Sequence, residues 1–574
     1  MKKSLKYLIA LGLCGVGVAS VSTLASCQGD PNITGTMDVV VTAETLKVTC
    51  SIEDPDSVIN DSSVYVKVEE YDNNDTEDDT DDDETTLVST LQFDELPGTE
   101  DTTTTVDGSE TTVTTAVSQT KIASDLKSEQ DYLLTFYCTY GSGKVFTFTS
   151  EHYTTNSVGK TEDNPIEIST PEDLYSMDDD SDAYYKLVSD IDLTDWDDDQ
   201  YGTSIFSTTS TAFKGHLDGD GHKITGFEQT TSATYTGIFG YIEEGATISN
   251  VVLESPKLSF SRGNSTYCGA FASYNLGTIT NCTVTGAELT IKTTSTSTTT
   301  TPYIGGFVGY NGGSIYDSSF EGTITNEYKG RLILGGFVGF DEGTKISNCK
   351  ASAEITSTCN STSSSQEVIS FSIGGFVGRA DGSIADSISE GSLTVTFSFN
   401  SENDDINDTI ASQLGGFAGL YNSGRIKGCV ANEDITFTSS QSFVINIGLF
   451  AGSVSTGLKV GAFTNNIYYG TDNTVTLTLL DDDGNYNYDR TITNDDGTET
   501  TETTDRIHNF GFINSLDTSF IEEFNTALNF AVIGTPTVTC DAEEVIVAYK
   551  TGTSDYTTLT LADTILEYIS NLIA

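Results

Sequence analysis

Between residues 236 and 455 the apolar positions recur in blocks: an apolar pair flanked by glycines, a polar turn, then a lone isoleucine between polar neighbours. IGGFVGYNGGSIYDSSFEGTIT (304–325) is the clearest block. Its copies align on Ile238, Phe271, Phe307, Phe337, Phe376, Phe417 and Phe450, at spacings of 33, 36, 30, 39, 41 and 33 residues. A period in this range marks a solenoid or propeller, whose units bury their apolar faces against one another. The second half of each block narrows the choice. Ile248, Ile279, Ile315, Ile346, Ile384 and Ile426 are followed three residues later by Val251, Cys282, Ser318, Cys349, Ser387 and Cys429. Positions two apart share one face of a strand, so an inward pair three apart requires a bend. The residue before each second inward position is Asn250, Asn281, Asp317, Asn348, Asp386 or Gly428, the types that enter the left-handed region at least cost. The pattern predicts a parallel β-helix with one coil per copy. A propeller blade needs four strands in about 40–45 residues, more than the block holds.

On either side the periodicity changes. Alternating runs at 45–52, 63–71, 87–93, 131–140 and 144–150 predict strands of a separate β-sandwich over 28–156. After Phe450 the repeat decays through NNIYYG (465–470). It is followed by a predicted acidic hairpin (475–493), a helix (515–530, with Phe520, Phe524 and Leu528 on one face), a strand (545–549) and a short helix from Asp563. In that last helix Ile565, Leu566, Ile569 and Leu572 are expected to point inward. The fold expected is all-β: a sandwich, a right-handed parallel β-helix over 157–470, and an α+β cap over 471–574 that shields the open sheet edge.

The chain opens MKKSLKYLIALGLCGVGVASVSTLASC, three lysines ahead of an apolar run and small residues, the layout of a secretory signal over 1–27. No other stretch reaches 18 apolar residues, so the remainder is expected outside the membrane. Leu24-Ala25-Ser26-Cys27 resembles the lipobox of bacterial lipoproteins, which implies acylation of Cys27 and a membrane partner reached through that lipid. The repeat blocks, Gly-Gly-apolar-apolar-Gly and then Ile-x-Asn-Cys, resemble the GLUG-repeat family of bacterial surface proteins. DNPIEISTPEDLYSM, YYKLVSDIDL and FKGHLDGDGHKITGF, between Asp163 and Phe227, resemble the lead-in to such arrays. Leu126 with Tyr132, Leu134 and Phe136 resembles a late strand of fibronectin-III-like and immunoglobulin-like sandwiches. These resemblances imply fold and surface location, not an activity.

Net charge is −59, and −62 once Lys2, Lys3 and Lys6 are removed with the signal. Such a chain repels nucleic acid, so no nucleic-acid partner is expected. Residues 72–84 hold nine Asp or Glu, without the spacing of an EF-hand, and read as a solvated loop. Asp192, Asp195, Asp197, Asp198 and Asp199 read as a solvated turn in the same way. Cysteines occur singly, with no Cys-x-x-Cys, so no zinc set is expected. Cys50 and Cys138 share parity with core-facing neighbours and either bridge the sheets or stay as free thiols. Cys282, Cys349 and Cys429 lie on alternate coils, about 10 Å apart, too far for disulfides.

Catalysis finds little support, and neither catalytic residues nor a cofactor are assigned. His152, His216, His222 and His508 form no His-Glu-x-x-His pair. Arg379 is a lone basic residue at a regular repeat position. Tyr241, Tyr274, Tyr310 and Phe340 occupy one position in four consecutive copies. If the Ile238/Phe307 column faces inward they face out and offer ring faces to a glycan; if the adjacent Phe239/Val308 column does, they are core. The reading is a lipid-anchored protein on the extracellular side of the cell membrane, a non-catalytic scaffold for adhesion or for binding a glycan or a host or cell-surface protein. The alternatives are a polysaccharide lyase or glycoside hydrolase on the same β-helix, and a purely structural stalk.

Overall fold

The computed structural model describes most of residues 33–573. The longer stretches outside it are 1–32, 73–83, 195–203, 294–300, 362–369, 400–411, 440–444, 515–529 and 546–562, with shorter breaks elsewhere. The chain divides after Ile166 into two compact units.

In the first unit, strands β1 (Thr34–Val41), β2 (Leu46–Glu53), β3 (Ile59–Asp72), β4 (Glu84–Phe93), β5 (Thr99–Val106), β6 (Ser109–Ala116), β7 (Ser118–Ala123), β8 (Asp131–Tyr140) and β9 (Lys144–Thr154) follow in order. They form antiparallel sheets of order β1-β2-β7 and β4-β3-β8-β9, with β5 and β6 as a separate hairpin. Alternation sends Leu46, Val48, Cys50 and Ile52 from one sheet, and Val64, Val66, Leu134, Phe136 and Cys138 from the other, into one core. Strand β1 was not expected from the sequence. Gly35 lies in it because a side chain there would meet the Phe148 ring at 2.7 Å. The Lys127 N–H donates to the Tyr132 hydroxyl at 2.8 Å, tying the start of β8 to the preceding turn.

The second unit is the parallel β-helix. The coil containing Phe307 has four strands: Tyr303–Gly305, Val308–Asn311, Ser314–Tyr316 and Ser319–Tyr328. Each pairs in parallel with its equivalents in the coils before and after. The bend column is as expected. Asn250, Asn281, Asp317, Asn348, Asp386 and Gly428 have φ of +57°, +52°, +49°, +56°, +48° and +67°. Asn465, with φ +58°, supplies one more bend. The side chains at these corners also link coils: Asn281 donates to Asn250 at 2.7 Å and Asn348 to Asp317 at 2.5 Å.

Inside, each column stacks on itself. Phe271, Phe307, Phe337, Phe376, Phe417 and Phe450 form one stack with ring centroids 4.8–5.1 Å apart. Cys282 and Cys349 alternate with Ser318 and Ser387 for a reason: each cysteine N–H donates to the serine hydroxyl of the next coil, at 3.1 and 3.2 Å. These cysteines and Cys429 are buried free thiols, as expected. An amide ladder runs from Asn275 to Asn311 (2.8 Å) and on to Asp341 (2.7 Å). Asp341 has no exposed surface, and its Oδ2 has no partner. Burial, opposed by the Asn311 and Gly343 hydrogen bonds, pushes its carboxyl up to about 7.

The C-terminal region departs from expectation. Thr474–Thr478 is no arm of a hairpin; it pairs in parallel with the fourth strands of the array. The hairpin lies later, Asn487–Thr493 with Glu499–Asp505. The array continues past 470 through Ile507–Ile513, Phe530–Ile533 and Thr537–Cys540. Residues 543–545 are helical, and the expected strand at 545–549, beyond Val545, and the expected helix at 515–530, short of Phe530, fall outside the described residues. The final helix, Asp563–Ile573, buries Ile569 against Ile388, Val430, Ile467 and Tyr469, while Leu566 is 47 % exposed. Those partners face outward from the fourth strands, so this helix lies along a side of the solenoid. There the Tyr568 hydroxyl donates to Glu390, which also pairs with Lys350 at 2.5 Å.

Two outcomes follow. Asn348→Val forces a β-branched residue into the left-handed region and should cost about 1–3 kcal/mol. Asn348→Gly loses the same Asp317 hydrogen bond without the strain and should cost less than half as much; equal melting shifts would deny the bend. Asp341 titrates higher folded than the unfolded value of about 3.9, so its penalty is absent near pH 4, grows as pH rises, and is complete above the folded value of about 7. Asp341→Asn should therefore raise the melting temperature at pH 8 and leave it nearly unchanged at pH 4. A shift of the same size at both pH values would show that charge is not the cause.

Candidate ligand-binding face

The first and second strands of a coil meet across the Gly-Gly-Phe corner and pack on one another. A Cβ on Gly305 would run into the Val308 carbonyl oxygen, and one on Gly309 would come within 2.7 Å of the Cys268 backbone N, so only glycine permits this approach. Its consequence is that both candidate inward columns are buried: Phe307 and Val308 have no exposed surface. The aromatics two residues beyond Val308 are then neither core nor fully exposed. Tyr241, Tyr274 and Tyr310 are half-buried, and Phe340 is 9 % exposed.

The structure does bring these four together. Tyr241 stacks on Tyr274 (4.7 Å, 7° between planes) and Tyr274 on Tyr310 (4.3 Å, 15°), while Phe340 meets Tyr310 edge-on at 5.4 Å. Arg379, one coil further, lays its guanidinium 4.8 Å from the Phe340 centroid and is fixed by two bonds to Asp381, at 2.9 and 2.7 Å. It closes the end of the ladder.

A second aromatic column, unforeseen from the sequence, stands beside the first. Tyr235, Tyr267 and Tyr303 begin the first strands of their coils and neighbour one another at 5.4 and 5.5 Å. They meet the first column edge-to-face, Tyr267 lying 5.1 Å from Tyr274 at 83°. Each precedes its corner glycine by two residues, Tyr-x-Gly, and that spacing was the available signal.

This packing revises the expected chemistry. Rings stacked at 4.3–4.7 Å cover their own faces, so the first column presents edges and hydroxyls rather than flat platforms. Burial pushes the phenols of Tyr241 and Tyr267 up to about 12 and raises those of Tyr235, Tyr274 and Tyr303. All stay neutral donors at physiological pH, and Tyr310 donates to Glu342 at 2.7 Å. Alongside runs a shallow groove of about 380 Å³, floored by Gly277, Gly312 and Gly313 and flanked by Glu244. The face can thus hydrogen-bond a hydroxylated ligand along several coils, in acidic surroundings.

The remaining candidates lie elsewhere. Cys27, Asp195 and Asp197 to Asp199, and most of the acidic run at 72–84, lie outside the described residues. Asp192 accepts from Thr194 within its turn. His216 and His222 sit at the array's start, bonded to Thr247 and Asp190. Cys50 and Cys138 are both buried and free, with no bridge between them. Among the described residues no group of three His, Cys, Asp or Glu could hold a metal, and no helix is long and apolar enough to cross a membrane.

Against known proteins, a family model described as the GLUG motif matches residues 300–325. Halomucin of Haloquadratum walsbyi is 34% identical over 166 residues, which covers 26% of this chain and 2% of that protein. A putative Gly-rich membrane protein of Evansella cellulosilytica is 34% identical over 103 residues, or 18% of this chain and 12% of that protein. The chain therefore spans only a small part of either relative. The match to the motif covers the first three strands of the Phe307 coil, the bend at Asp317 and the first part of the fourth strand.

Proposed function

We propose that this is a non-catalytic, surface-displayed binding scaffold, anchored through lipid on Cys27, whose tyrosine face recognises a glycan. The observation that carries the reading is the pair of half-buried tyrosine columns, with neutral hydroxyls repeated coil by coil beside an open groove. Glu244, Glu342 and Asp381 border the face, which favours a neutral glycan over an anionic one. Against an enzyme on the same scaffold, the two carboxyls most strongly raised by burial, Asp341 and Glu433, are fully enclosed within the solenoid, where no ligand on this face can reach them. The relatives' names, a halomucin and a membrane protein, support a surface location. The β1-β2-β7 and β4-β3-β8-β9 sheet orders and the Tyr132 bond to Lys127 support a fibronectin-III-like or immunoglobulin-like spacer.

A glycan array with purified protein tests the reading. Tyr274→Phe with Tyr310→Phe keeps both rings stacked and removes two hydroxyls. At about 1 kcal/mol per hydrogen bond, binding should fall tenfold or more while the melting temperature holds. Absence of any glycan ligand would leave a structural stalk instead, and full binding by the double variant would show that the tyrosine hydroxyls are not the site. For the anchor, mass spectrometry of the mature terminus should find acyl chains on Cys27; an unmodified terminus would remove that part.

A further inference from the structure

The outer face of the fourth strands carries an array that the tyrosine face does not involve. Strand register places Thr290, Thr325, Thr356, Thr394, Thr436 and Thr476 directly in line, one per coil, and continues the line to Thr539. Two residues along each strand lies a second rank, Thr358, Thr396, Thr438 and Thr478. The residues alternating with them along the strands, among them Ile324, Ser357, Val395 and Phe437, are buried, so both ranks point outward. None of these eleven aligned threonine hydroxyls has a hydrogen-bond partner within the protein among the described residues.

Threonine is a favourable strand residue and pairs well with itself across strands, and that alone would be the ordinary explanation. The neighbouring third strands argue against it. Their equivalent outward column reads Thr247, Thr278, Ser314, Lys345, Ser383 and Arg425 under the same strand preference. The column two residues before the first rank, Thr323, Glu354, Ser392 and Asp434, varies as freely. Uniform threonine is confined to two ranks, in a chain of net charge −59 where those ranks carry no charge over four coils.

We propose that this face binds ice. Hydroxyls and methyls repeat about 4.8 Å apart across the strands and about 6.7 Å along them, close to the repeats of the oxygen lattice of hexagonal ice along its two principal axes. The array is held by parallel pairing through every coil, so bound water is ordered without first ordering the protein. The free hydroxyls supply donors and acceptors to that water, and the methyls fill the spaces between. The C-terminal helix covers the beginning of the same strands, over Ile388 and Val430, and leaves the threonine end open.

The test is ice recrystallisation and thermal hysteresis with the purified protein. The wild type should slow recrystallisation and shape ice crystals. Thr394→Tyr with Thr436→Tyr should abolish both effects while circular dichroism and melting stay native, since tyrosine also suits strands. Thr280→Tyr, outward on a third strand, should retain them. Should the tyrosine pair fail to fold, Thr358→Lys with Thr438→Lys serves in its place. The proposal is overturned if the wild type leaves ice growth unchanged, if a folded rank variant matches the wild type, or if the face holds crystalline chitin or cellulose and has no effect on ice.

Discussion

In a parallel β-helix every side chain lies about 4.8 Å from its own counterparts in the coils before and after, and that constraint decides what each column accepts. Phenylalanine tolerates it by stacking, asparagine by passing an amide hydrogen bond along the axis, and cysteine by alternating with a serine that receives its N–H. A carboxylate tolerates it poorly. Asp341 closes an amide ladder with one oxygen unpartnered. Glu433 sits among Ser389 and the corner glycines, where a side chain on Gly375 would meet its Oε1 at 2.5 Å. Both carboxyls are raised by burial, and among the described residues no cation pairs with either.

The same constraint governs what could be read beforehand. The bend was legible because six copies place Asn, Asp or Gly at one position, and backbone strain allows little else there. Exposure of Tyr241, Tyr274 and Tyr310 was not, since strand parity assumes one buried face. Here the Gly305 and Gly309 approach buries two adjacent columns. Tyr235, Tyr267 and Tyr303 were missed because they follow insertions of variable length, outside the block that anchors the alignment. The C-terminal strands were misassigned for a related reason. Val475 and Leu477 alternate as in any hairpin arm, and only their pairing with Ile435 and Phe437 shows that they continue the array.

Outside, the requirement relaxes and each face takes its own chemistry. The fourth strands begin under the C-terminal helix, where Lys350, Glu390 and Tyr568 meet, and end in threonine. The first and second strands carry tyrosine, closed off by Arg379 over Phe340. A rigid interior lets such faces repeat a group at fixed spacing over many coils, which suits extended or crystalline partners better than small ones.

The account rests on the interior stack being continuous from the first coils to the last. Hydrogen exchange on the intact protein tests this most directly, because a continuous solenoid opens as a block while separate units open independently. The account predicts slow exchange of the strand amides in every coil from Phe271 to Phe450, with faster exchange confined to the terminal coils. Rapid exchange in the coils of Phe307, Phe337 or Phe376, with protection on either side, would contradict it.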